Sequence, residues 1–107
     1  MTKKRSLLTL MAAGALVLPE AALAHTPLFS CFDNGDGTIL CEGGFSDGSS
    51  ASGTAISVRD DAGKIIANGT LSKNSEIEFK KPQGNYVVVF EGGDGHEIKV
   101  SSSQIFQ

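Results

Sequence analysis

The chain contains two histidines, His25 and His96, and the residues around them suit metal binding better than catalysis. His96 closes the run Gly92-Gly93-Asp94-Gly95-His96, which sets a carboxylate two residues before an imidazole in a glycine turn. His25 follows Ala22-Leu23-Ala24, a small-residue stretch of the kind a signal peptidase cuts, so it is expected to become the first residue of the mature protein. A terminal histidine has two nitrogens for one ion. Its α-amine, with a pKa of roughly 8, and its imidazole Nδ1 close a chelate ring when a cation displaces the protons. His96 would add a second imidazole and Asp94 an oxygen. Asp47 is an extra ligand or a carboxylate that orients one. A nitrogen and oxygen set of this kind favours copper(II), with nickel(II) and cobalt(II) as the alternatives. The plain alternative is a non-catalytic structural or interaction module with no metal site, in which His96 is an ordinary polar residue at the mouth of a strand.

The first 24 residues read as a secretory signal peptide. Lys3, Lys4 and Arg5 precede an apolar run from Leu7 to Leu18, then Pro19 to Ala24. That run is short of the roughly 20 residues that cross a bilayer, and no later stretch is apolar enough to anchor the product. Residues 25–107 are then expected to form one periplasmic or secreted domain, with no membrane insertion after cleavage. Cleavage removes three of nine basic residues and one of twelve acidic ones, leaving six against eleven and a net charge of −5. Nucleic acid and anionic membranes are poor partners for such a chain, and cations are natural ones. A small domain in an oxidising compartment favours a disulfide between Cys31 and Cys41. A soft-metal thiolate pair is the competing reading, which this spacing does not specifically support.

An enzyme is the least supported class. The chain has no Trp and one Tyr, so an oxidative copper enzyme would lack the exposed aromatic platform that holds a polysaccharide. With the cysteines oxidised and one histidine terminal, no Ser/His/acid or Cys/His set remains for nucleophilic chemistry.

The elements that must position these residues are short strands. Leu28 to Phe32 and Thr38 to Glu42 flank Asp33-Asn34-Gly35-Asp36-Gly37, a hairpin turn that sets Cys31 opposite Cys41. Calcium binding by that turn fails on spacing, because Gly35 stands where an EF-hand needs an oxygen ligand. Phe45 to Gly53 is a Ser/Gly loop. Ile56 and Val58 mark a third strand before the turn at Asp60 to Gly63. A fourth runs from Lys64 to Thr70, where Asn68-Gly69 could bend or end it. Glu76 to Lys80 alternates, turning Ile77 and Phe79 inward. Tyr86 to Phe90 is apolar on both faces and reads as a central strand, and Ile98 and Val100 belong to the last. The tail offers Ile105 and Phe106 for docking. About seven short strands separated by regular turns indicate an all-β, antiparallel β-sandwich with one disulfide-pinned hairpin.

From Ala55 onward, the succession of an Asp/Gly turn with Lys64, Glu-Ile-Glu-Phe, Pro-x-Gly and Tyr-Val-Val-Val-Phe resembles the transthyretin-like, carboxypeptidase-regulatory-like domains. That resemblance implies a transthyretin/Ig-like sandwich. The histidine pattern is similar to the CopC family of periplasmic copper carriers, with His25, Asp94 and His96 at the matching positions. It implies a copper(II) carrier that serves a membrane metal transporter. Related small exported sandwiches accompany nickel and cobalt uptake, which keeps those ions in view. If successive strands alternate in direction, the start of the first strand and the connections after the second, fourth and sixth share one pole. His25, the Asp47 loop, Asp94 and His96 should then meet there.

Overall fold

A computed structural model describes residues 26–93 and 95–107. It contains seven strands: β1 (Pro27–Asp33), β2 (Thr38–Phe45), β3 (Ala55–Asp60), β4 (Ile65–Thr70), β5 (Glu76–Lys80), β6 (Tyr86–Glu91) and β7 (Glu97–Ser101). They form two antiparallel sheets, one ordered β1-β2-β5 and the other β4-β3-β6-β7. A short 3-10 turn, Ser102–Gln104, follows β7. The expected leader, residues 1–24, lies outside the described residues, as do His25 and Asp94.

Alternation builds the core. Cys31, Ile39 and Cys41 from the first sheet face Ile56, Val58, Val88 and Phe90 from the second, and Ile77 and Phe79 pack against them. β6 occupies an interior position, as its two apolar faces require. Cys31 and Cys41 are direct cross-strand partners and are joined by a disulfide with a Cα separation of 4.0 Å. That separation fits the closer, non-hydrogen-bonded kind of antiparallel pair.

Three local features differ from the expected strand pattern, and the first two have a packing cause. β2 runs on to Phe45 because Gly43 lets the strand pass beneath its neighbours. A Cβ there would lie 2.8 Å from Leu71 Cδ1 and 3.1 Å from Phe90 Cε2, so only glycine continues the strand under that cover. β4 is not ended by Asn68-Gly69, since Gly69 pairs with Ile56 and sits under Ile77. The register of β3 and β4 shifts between Val58 and Arg59, and Ile65 and Ile66 are both left exposed. The tail folds back as well. Ile105 is buried, and Phe106 bridges Phe32 in parallel while its carbonyl accepts from Asp33 N at 2.8 Å.

The register sorts the strand ends into two poles. Pro27 pairs with Phe45, Glu42 with Glu76, Ala55 with both Thr70 and Glu91, and Glu91 with Glu97. Phe90 joins the sheets at this pole, with ring centroids 5.2 Å from Phe29 and 6.3 Å from Phe45. The starts of β1, β3, β5 and β7 therefore lie with the ends of β2, β4 and β6.

The opposite pole holds the Asp33 to Gly37 turn. Asp33 Oδ1 accepts from Gly35 N and Asp36 Oδ1 from Thr38 N, while Lys81 Nζ stands 2.7 Å from Asp33 Oδ2. These carboxylates serve the turn and an ion pair, an arrangement unlike a calcium loop.

Two predictions arise here. Replacing both cysteines by Ala reopens a loop of about ten residues and lowers unfolding stability by about 2–3 kcal/mol, read from denaturant curves with and without reductant. The second concerns pH. Hydrogen bonds from Lys81 and Thr38 hold Asp33 and Asp36 below their ordinary 3.8, so their stabilising effect is complete above that value and fades as pH falls below it. Asp33 raises Lys81 above 10.5, and burial raises Tyr86 above 10.0. Stability is therefore also lost as pH climbs past 10. Thermal melts across pH 2–11 should show both limbs, and Asp33→Asn should shrink each of them.

Candidate metal centre

The turn before β7 is built around glycine. Gly93 and Gly95 both adopt φ of +79°, a conformation that L side chains enter at a cost. His96 N donates to Gly93 O at 2.6 Å and closes the turn. Gly92 is demanded by proximity, because a Cβ there would stand 2.8 Å from His96 O and 3.0 Å from His96 Cβ. The backbone thus holds half-buried His96 at the rim of the sandwich, one residue before β7 begins.

The start of β1 lies at the same pole and on the same open side. β1 and β7 are the outer strands of their sheets and pack against each other. Ile98 shares a shallow cleft with Pro27, Leu28 and Phe29. The loop after β2 is clasped to this corner, since Ser46 N donates to Thr26 O at 2.9 Å. Asp47 follows directly, and its Oδ1 accepts from Ser49 N at 2.9 Å and Ser49 Oγ at 2.6 Å. His96, Asp47 and Thr26, the neighbour of His25, are therefore gathered at one pole. His25 and Asp94 themselves lie outside the described residues. Among the described residues, no group of three His, Cys, Asp or Glu side chains is arranged to hold a metal ion.

The cysteines take no part in the site, because their sulfurs are bonded to each other inside the core. Two carboxylates that the motif reading passed over flank the turn. Glu91 and Glu97 are direct partners across β6 and β7, and both are exposed. Their equal spacing about position 94 was the available signal, since a hairpin turn centred there must pair them. Glu42 and Glu76 are paired at the same pole. Among the described residues of this half, Lys73 and Lys99 are the accompanying cations, whereas Arg59, Lys64, Lys80 and Lys81 lie toward the far pole. Close like charges create a negative field that concentrates cations near the histidine turn.

Gly92→Ala should therefore displace the His96 backbone. Overpacking of this kind costs about 1–3 kcal/mol, and denaturant unfolding should show it, together with amide shift changes centred on residues 92–97. A wild-type melt and an undisturbed spectrum would mean that the turn is looser than its contacts imply. No family model, curated protein or solved structure matches this chain at a significant level, so the reading of the site rests on its own residues.

Proposed function

We propose that the protein is an exported carrier of a divalent transition metal, preferring copper(II), with nickel(II) and cobalt(II) as the next candidates. The observation that carries this reading is the common pole. Thr26 and His96 stand just before β1 and β7, two outer strands that pack against each other and whose starts share that pole. In this proposal the α-amine and imidazole of His25 chelate the ion, His96 supplies a third nitrogen, and Asp94 supplies an oxygen. Asp47 adds a ligand or orients one. The negative field at this pole draws the cation in, and the disulfide suits a periplasmic or secreted setting. The protein's part is capture and hand-over to a membrane metal transporter, with no chemical conversion of the ion.

The histidine pattern, similar to that of the CopC copper carriers, supports the metal class. The strand and turn order resembling transthyretin-like domains supports only the scaffold, since one fold carries many functions.

Binding must release protons, because the amine and both imidazoles coordinate only when unprotonated. Affinity should therefore fall as pH is lowered, because protons compete with the ion for those nitrogens. The direct test is a titration of the chain beginning at His25 with copper(II), nickel(II) and cobalt(II), beside a control carrying one extra N-terminal Ala. One-to-one binding in the first and at least a hundredfold weaker binding in the second is the expected result. His96→Ala should abolish tight binding and Asp94→Ala should weaken it. Asp36→Ala, at the far pole, should leave it unchanged. Equal affinity in the parent, the extended chain and His96→Ala would sink the proposal.

A further inference from the structure

The outer face of the three-stranded sheet is divided lengthwise into an apolar half and an acidic half. Because Cys31, Cys41 and Ile77 point into the core, their neighbours along β1, β2 and β5 point out. One row across the face reads Phe106, Phe32, Leu40 and Glu78, and the next reads Ser30, Glu42 and Glu76. Leu28 continues the apolar side toward the metal pole. Leu28 is 53%, Phe32 44% and Phe106 68% exposed, and Phe106 reaches this row through a single parallel bridge to Phe32. At a strand spacing of about 4.8 Å, the first row is about 14 Å wide.

The acidic half holds three carboxylates against one cation, Lys80, the next outward residue of β5 after Glu78. Glu42 and Glu76 are direct cross-strand partners, a placement in which like charges repel. Neither has an ion-pair partner among the described residues, where the recorded pairs are Lys81 with Asp33 and Lys99 with Glu97. Glu78 accepts a hydrogen bond from Asn34 Nδ2 at 3.1 Å. The isolated protein thus keeps two adjacent carboxylates beside bare aromatic and aliphatic groups, and neither feature helps it fold.

We propose that this face docks a basic, apolar polypeptide surface, one that sets Lys or Arg against Glu42 and Glu76 and aliphatic groups against Phe32 and Phe106. Charge selects this occupant over the others. A second copy offers only Lys80 against three carboxylates, so most of them would meet like charge or be buried unpaired on the apolar half, and both cost energy. Anionic lipid and nucleic acid are repelled. A patch this small makes a transient contact rather than a permanent one. The inference stands independently of the proposed metal site, since His96 lies at the pole and outside this face.

The test uses isotope-labelled protein in its natural processed form and a short, end-capped peptide of alternating Lys and Leu as the probe. Alternating Lys/Ser and Glu/Leu peptides are the controls. The expected result is amide shift changes at Phe32, Leu40, Glu42 and Glu78 with the Lys/Leu peptide. Binding should be at least tenfold weaker for either control and for Glu42→Lys combined with Glu76→Lys. Leu28→Ser with Phe106→Ser should weaken it several-fold, which separates the apolar half from the charge. Any of four results would overturn the proposal: no shifts, shifts centred on the His96 turn, equal binding of the Lys/Ser peptide, or self-association through this face in the absence of peptide.

Discussion

The bond between Cys31 and Cys41 ties together two residues that face each other across β1 and β2, and so it sets which side of that hairpin points inward. In a pleated strand a slip of one residue exchanges the two faces. Such a slip here would bury Glu42 and expose Cys41 and Ile39, which are completely buried in the native register. The covalent link makes that slip impossible without breaking the hairpin. β5 then takes its place from β2, with Ile77 opposite Cys41, and the whole three-stranded sheet inherits one register. The inner face closes the core, while the outer face keeps the carboxylates of Glu42 and Glu76 beside Leu40 and Phe32.

The second sheet is held to the first chiefly at one pole. Phe90 is fully buried there between Phe29 and Phe45, and Gly43 passes under it because no side chain would fit. The same packing brings the start of β1 against β7, and with it the histidine turn. Closing the sandwich thus also brings the histidine turn and the start of β1 to one corner. Ser75 shows how tightly that end is drawn. It is a non-glycine residue at φ 60°, its Oγ accepts from Ala51 N, and its carbonyl accepts from Gly43 N. Left-handed backbone at such a residue persists where surrounding bonds impose it.

Much of this was legible in the residues because β structure has a simple period. Glu76 to Lys80 declares its inward pair by alternation alone, and Tyr86 to Phe90 declares an interior strand by having no polar face. The Asp33 to Gly37 turn declares a hairpin through residues that accept positive φ, which Gly35 and Gly37 adopt. The end of β2 and the course of β4 were not legible. Glycines at 43 and 69 look like breaks until the side chains of Leu71, Phe90 and Ile77 are seen lying across them.

Antiparallel succession also sets the pole of each connection by parity, so the pole shared by the strand-1 start and the histidine turn follows from counting strands. Local periodicity and turn chemistry determined the strand number, the facing of the cysteines and that shared pole, because each depends on neighbours a few residues apart. Only the tertiary structure decided that β1 and β7 lie side by side, that Gly92 must yield space to His96, and that Phe106 joins the exposed row of Phe32 and Leu40. Each of these is a contact between segments tens of residues apart, and the packing of two curved sheets selects it where no local pattern can.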